Sequence, residues 1–301
     1  MQNYTMLIKE FNSLKERKKI KSMNQAARSM GISSAALSNF LRGKYEGNNA
    51  DIAQKLDNFL TLLKERSNDP LSNEVRFIDT ISNTEKATQL LRLIHIKGGI
   101  GLILASAGLG KTQTLTRYAE KNEDVIYLKA NLAFSAKVLM QALSNRCGYS
   151  GKGHNYHLMM KIIENLKNSG RLIIIDQAEY LPEKALDMLR EIQEEANIGL
   201  VLAGLPALLD NLRGRGSVNE QLITRVDALL KLKPLNDEDI KQIVRAYLPE
   251  SNGLYKVFAS ECRRNGRVLH KLIINAKRIA LSRDVEVNEE IVEIASKQLV
   301  R

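Results

Sequence analysis

The chain has 301 residues and 44% apolar content, enough to bury ordinary cores in more than one domain. Its formal net charge of +11 points either to an anionic partner, most commonly nucleic acid, or to a solvated basic surface. Cys147 and Cys262 stand in unrelated contexts, which argues against a disulfide framework or a metal site and suits a reducing compartment. No apolar run reaches membrane-spanning length and the N-terminus is not signal-like, so a cytoplasmic protein with no membrane partner is expected. His154 and His157 lack further ligands nearby and read as loop and helix-surface residues.

Three domains are expected: residues 1–66, 67–235 and 236–301. The first reads as short helices. Within it, Asn24–Gly43 follows helix-turn-helix grammar. Ala27 is small where two helices must approach, Gly31 supplies the turn, and Ser33 caps the second helix. Leu37, Phe40 and Leu41 then share one face and can pack against Ala26, Ala27 and Met30. The run resembles the phage-repressor type of helix-turn-helix. That resemblance favours DNA binding, with Ser34, Ala35, Ser38 and Asn39 toward the major groove and Arg42 and Lys44 near phosphates. These side chains are short and few are charged, so sequence-tolerant binding is expected. A protein-interaction module of the same shape is the alternative. The polar run Arg66–Asn73 reads as a linker.

From residue 67 to 235 apolar strands alternate with amphipathic helices, an α/β pattern implying a mostly parallel sheet covered on both faces. The strand Gly101–Leu104 feeds Ala105-Ser106-Ala107-Gly108-Leu109-Gly110-Lys111-Thr112 and then a helix over Gln113–Glu120. This is a P-loop: glycines let the backbone curl so that N–H groups point inward at phosphates, and the helix N-terminus adds partial positive charge. Ser106, Ala107, Gly108, Leu109, Gly110, Lys111, Thr112 and Gln113 are therefore the candidate contacts for ATP. Lys111 would reach the β- and γ-phosphates, and Thr112 would ligate Mg²⁺. Ala105 replaces the usual first glycine.

A short strand over Asp124–Ala130 is expected next. Arg171–Glu179 then contains a buried strand ending in Asp176, the second candidate Mg²⁺ ligand. In the usual hydrolytic version a glutamate follows that aspartate and orients water, whereas here Gln177 follows. Glu179 is the nearby carboxylate that could substitute, so ATP binding with slow turnover is expected. A helix over Pro182–Ala196, a strand over Ile198–Gly204 and a strand over Ala228–Leu232 complete the core. Residues 236–301 read as helices only, one running from Asn265 to about Ser282.

Three positions matter through a resemblance to ATPases of the AAA+ superfamily. Leu205 stands where such proteins commonly carry a polar sensor residue. Arg225 matches the arginine inserted into a neighbour's nucleotide site, with a structural surface arginine as the alternative. Arg267, or second Lys271, matches the lid arginine that reaches the γ-phosphate, with a basic helix face as the alternative.

Together the helix-turn-helix run, Arg76-Phe77-Ile78-Asp79-Thr80, the phosphate loop, Ile174–Leu181 and Ile198–Leu202 resemble the transposition protein B family of bacteriophage Mu. The resemblance implies a P-loop AAA+ core with an N-terminal helix-turn-helix domain and a C-terminal helical lid. It further implies an ATP-dependent, largely sequence-nonspecific double-stranded DNA binder that oligomerises as a helix or ring. Such a protein delivers target DNA to a transposase, stimulates strand transfer, and is released through ATP hydrolysis. Lys152 in Gly151-Lys152-Gly153 and Arg213 and Arg215 in Arg213-Gly214-Arg215-Gly216 can line a DNA groove, or stay solvated. Two other readings remain: a nucleotide-gated helix-turn-helix transcription regulator without significant hydrolysis, and a secretion or plasmid-maintenance ATPase.

Overall fold

The computed structural model describes residues 4–16, 20, 22–68, 77–213, 217–249 and 253–299. The chain divides into two compact units, Met1–Val75 and Arg76–Arg301.

The first unit holds α1 (Thr5–Glu16), α2 (Met23–Ser29), α3 (Ser34–Leu41) and α4 (Asn49–Asn68). Ser22 and Ser33 cap α2 and α3, their hydroxyls accepting from the Gln25 and Ala36 amides at 3.1 Å. Gly31 turns the chain between them at φ +66°. Ala26, Ala27, Met30, Leu37 and Phe40 share one core with Phe11, Leu56 and Leu60, and Leu41 packs against it. The expectation of short helices fails at α4, a 20-residue helix. Its buried residues Ile52, Ala53, Leu56 and Leu60 recur at helical spacing and close the core. The same helix runs through Arg66-Ser67-Asn68, the start of the expected linker; the rest of that linker lies outside the described residues.

The second unit opens with α5 (Ser82–Lys97), β1 (Gly99–Leu104), α6 (Lys111–Lys121), β2 (Val125–Lys129), α7 (Ala136–Arg146) and α8 (Asn155–Leu166). It continues with β3 (Leu172–Asp176), a 3₁₀ turn (Ala178–Tyr180), α9 (Glu183–Ala196), β4 (Gly199–Gly204), α10 (Ala207–Arg213), α11 (Ser217–Thr224) and β5 (Val226–Lys231). The helices α12 (Asp237–Tyr247), α13 (Tyr255–Glu261), α14 (Gly266–Arg283) and α15 (Glu289–Lys297) follow. Among the described residues the strands form one parallel sheet in the order β2-β3-β4-β1-β5.

Side-chain alternation splits the core across the sheet. Ile173, Ile175, Leu200 and Leu202 join Leu139, Ile162 and Leu189 of α7, α8 and α9 on one face. Leu172, Ile174, Val201 and Ala203 join Leu91, Ile94 and Leu115 of α5 and α6 on the other. Because both faces are covered, the strands read as apolar runs. Pro182 lies just outside its helix as the N-cap, with extended ψ of 155°. The last strand starts at Val226, earlier than expected, because polar Asp227 interrupts its apolar run.

Asp227 is the extra residue of a bulge: Ile100 pairs with Val226, but Gly101 pairs with Ala228. Its carboxylate accepts the Ile100 amide at 2.9 Å and pairs with Lys97 at 2.7 Å. A second carboxylate, Asp239, ties the helical segment to the core. It accepts from the Ser82 amide and hydroxyl at 2.8 Å, supplying α5 with the cap its own Ile81 lacks, and it completes a capping box with Asn236.

The Lys97 hydrogen bond, helped by the Ile100 amide, holds the Asp227 carboxyl below its ordinary range. Its stabilisation is therefore complete above the unfolded value of about 3.9 and is lost as pH falls through the lower folded value. In Asp227→Asn the melting temperature should fall less steeply below about pH 4 than in the wild type. Parallel melting curves across that range contradict this role.

Candidate nucleotide site

The site grows from the sheet's register. Leu104 faces Gly204 and Asp176 faces Ala203, so β1, β4 and β3 end together at one edge. The phosphate loop leaves β1 at that edge and enters α6 through Gly110, whose backbone is left-handed at φ 88°. Ser106, Ala107 and Gln113 are exposed, Gly108, Gly110, Lys111 and Thr112 are half-buried, and Leu109 is buried and packs with Leu115.

Asp176 is fully buried. Such a carboxylate needs donors, and Thr112 Oγ1 donates to its Oδ2 at 2.7 Å. Tyr127 Oη donates to the same oxygen at 3.2 Å, and the Gln177 amide donates to Oδ1 at 2.9 Å. Burial pushes the Tyr127 hydroxyl above its usual range. Burial also pulls the Lys111 ammonium below its usual range, and Glu179 and Asp176 partly offset this. An ammonium that burial disfavours, with two carboxylates acting on it electrostatically, is suited to an arriving polyanion. One hydroxyl and one carboxylate are also a fitting hard-oxygen pair for Mg²⁺, which takes one or two protein ligands and completes its shell with phosphate and water. Among the described residues no cluster of His, Cys, Asp and Glu could hold a metal by itself.

Gln177 adopts a left-handed backbone at φ 58° and is half-buried. Glu179 accepts the Leu205 amide at 3.2 Å. At the Leu205 position, then, a backbone N–H serves as the polar group toward Glu179.

The start of α14 contacts the phosphate loop directly. Asn265 Nδ2 donates to the Ala107 carbonyl at 2.7 Å, and the Arg267 amide reaches the Gly108 carbonyl at 3.2 Å. Arg267 and Lys271 are exposed. Arg225 lies elsewhere. It precedes β5, whose first residue faces Ile100 at the opposite end of β1, some 15–20 Å from the loop at about 3.3 Å per residue. It pairs with Glu194 at 2.7 Å within the chain.

On the first unit, Ser34, Asn39, Arg42 and Lys44 are exposed and Ser38 is half-buried, leaving the outer face of α3 free of the core. On the second, Lys152 and Arg213 are exposed, at the start of the loop entering α8 and at the end of α10. Arg215 lies outside the described residues.

Two residues at the site escaped the sequence reading. Tyr127 carried a signal in the alternation Val125-Tyr127-Lys129. Asn265 carried one too, as an N-cap residue opening a periodic helix, but its partner at Ala107 is distant in sequence.

Residues 94–212 match the family described as AAA domain. The chain is 24% identical over 281 residues to the ATP-dependent target DNA activator B of Escherichia phage Mu, covering 91% of this chain and 89% of that protein. It is 26% identical over 228 residues to the Mu-like prophage FluMu DNA transposition protein B of Haemophilus influenzae, covering 74% and 79%. The ORC2 protein of Aeropyrum pernix, solved in ADPNP-ADP complexes, superposes with a TM-score of 0.57 at 16% identity, over 76% of this chain and 70% of that one. The core is thus an AAA+ P-loop fold, and the resemblance to Mu transposition protein B is borne out over most of the chain. No helix among the described residues is long and apolar enough to cross a membrane.

Gly108 has φ +87°, and a Cβ there would overlap the Asn265 amide group, which hydrogen bonds hold in place. Gly108→Ala should destabilise the chain by about 1–3 kcal/mol and lower hydrogen-exchange protection in the first turn of α14. Unchanged protection there contradicts the packing described.

Proposed function

We propose that this AAA+ relative of Mu transposition protein B binds double-stranded DNA in an ATP-dependent, largely sequence-tolerant way and hands it to a transposase. The reading is carried by the preformed contact between Thr112 and the buried Asp176 beside Lys111. The names of its relatives, which include ATP-dependent target DNA activator B, support the DNA and transposition half. Lys111 and the amides of 106–113 bind the ATP phosphates, while Thr112 and Asp176 hold Mg²⁺, which neutralises charge on the phosphates when bound. Arg267, exposed at the start of α14, is assigned to the γ-phosphate.

Arg225 is too remote to serve its own chain's loop, and it acts in trans on a neighbouring copy within an ATP-held homo-oligomer. Its ion pair with Glu194 is half-exposed and therefore weak enough to exchange for a phosphate. The α3 face, Lys152, Arg213 and Arg215 supply DNA contacts, in keeping with the net charge of +11.

Turnover rests on Glu179. Gln177 can hold a water but cannot accept its proton, whereas the Glu179 carboxylate acts electrostatically on Lys111 and accepts the Leu205 amide at the end of β4. Glu179→Gln should lower kcat for ATP by about a hundredfold with KM little changed, and Gln177→Glu should raise it. A Glu179→Gln enzyme with wild-type kcat sinks this assignment.

The function itself is tested on long random-sequence duplex DNA with ATP, with ADP and without nucleotide. Cooperative binding only with ATP, weakening at least about tenfold over a fourfold rise in salt, is expected. Nucleotide-independent binding confined to one sequence would replace this reading with the transcription regulator.

A further inference from the structure

The nucleotide site involves a contact that the ATP-binding reading leaves unused. The N-cap of α14, Asn265, works in two directions at once. Its Oδ1 accepts the Arg267 and Val268 amides at 3.0 and 3.2 Å, closing the first turn of the helix. Its Nδ2 donates to the Ala107 carbonyl at 2.7 Å. Two residues on, the Arg267 amide reaches the Gly108 carbonyl at 3.2 Å.

Gly108 is required by this approach, and Gly266 keeps it from being crowded. A Cβ on Gly266 would stand 3.0 Å from the Gly108 carbonyl oxygen, and one on Gly108 would overlap Asn265. The chain also reaches Asn265 through two consecutive non-glycine residues with positive φ, Arg263 at 50° and Arg264 at 59°. Such a pair costs energy and persists only where neighbours over-determine it. Here Arg264 is tied down by the Leu235 carbonyl at 3.1 Å and by Asp237 at 2.8 Å.

We infer that Asn265 is a positioning residue: by holding the Ala107 carbonyl while capping α14 it fixes the phosphate loop against that helix and sets the site's preference for ATP over ADP. Ala107 and Gly108 turn their carbonyls to α14, while the loop's amides serve the phosphates. Any adjustment of the loop around a nucleotide therefore moves the acceptors that hold α14. Arg267 follows Asn265 by two residues, so the same contact sets where its guanidinium can reach. The inference rests on the ATP-binding reading and adds to it the residue that gives ATP its advantage over ADP.

The test separates the contact from the cap. Asn265→Ser keeps a capping hydroxyl but is too short to reach Ala107, and Asn265→Asp keeps the acceptor but loses the donor. Asn265→Ala loses both. Affinities for ATP and for ADP are measured by calorimetry for the full chain and each variant, with melting temperature as the folding control. In Ser and Asp alike the ratio of ATP to ADP affinity should drop about fivefold, the factor one neutral hydrogen bond supplies, while each variant still melts cooperatively. A drop confined to Asn265→Ala assigns the effect to helix capping and overturns the inference. So does a wild-type ratio in every variant. Should a variant unfold, hydrogen exchange of the first turn of α14 in the wild type, with ATP against ADP, decides instead: protection that is the same in both overturns the coupling. A wild-type chain that binds no nucleotide overturns the ATP reading itself, an outcome distinct from the others.

Discussion

A carboxylate buried at the carboxyl edge of a parallel sheet must be met by hydrogen-bond donors, and this requirement on Asp176 organises the second unit. Its oxygens take the Thr112 hydroxyl, the Tyr127 hydroxyl and the Gln177 amide. These donors come from three places: the start of α6, the middle of β2 and the turn after β3. The contacts can form because β1, β4 and β3 end in register. The site's chemistry is thus a consequence of strand order, with β4 spacing the phosphate loop from Asp176 and α6 bridging back across it.

The same edge is where the helical segment attaches. Asp239 caps α5 from the start of α12, and Asn265 holds the phosphate loop from the start of α14. Both attachments use helix N-termini, whose unpaired amides and cap side chains are short and directional. Movement of the helical segment relative to the sheet would therefore be felt first at the residues that surround the phosphates. In the account proposed here, that linkage is how a small change at the nucleotide gates assembly on DNA.

Much of the core was legible because local chemistry and local sequence coincide there. Gly108, Gly110, Lys111 and Thr112 lie together, and the apolar run Leu172–Ile175 before Asp176 needs burial on both faces to make sense. The N-cap Ser33 and the turn at Gly31 followed from residues acting on their own neighbours. What escaped depends on partners far along the chain. Tyr127 reaches Asp176, Asp239 reaches Ser82, and Asp227 takes over a ladder acceptor for Ile100. The full length of α4 escaped for another reason: its polar end, Arg66-Ser67-Asn68, has linker composition even though the helix continues through it.

On the function proposed, Thr112 and Asp176 form, beside Lys111, a site prepared for the Mg²⁺ complex of ATP. The most direct measurement is calorimetric titration of ATP with and without Mg²⁺ into the wild type and Asp176→Asn, both checked for cooperative melting. Mg²⁺ should strengthen ATP binding to the wild type by about tenfold or more, and this gain should disappear in Asp176→Asn. The same Mg²⁺ gain in both proteins, or none in the wild type, would contradict this assignment.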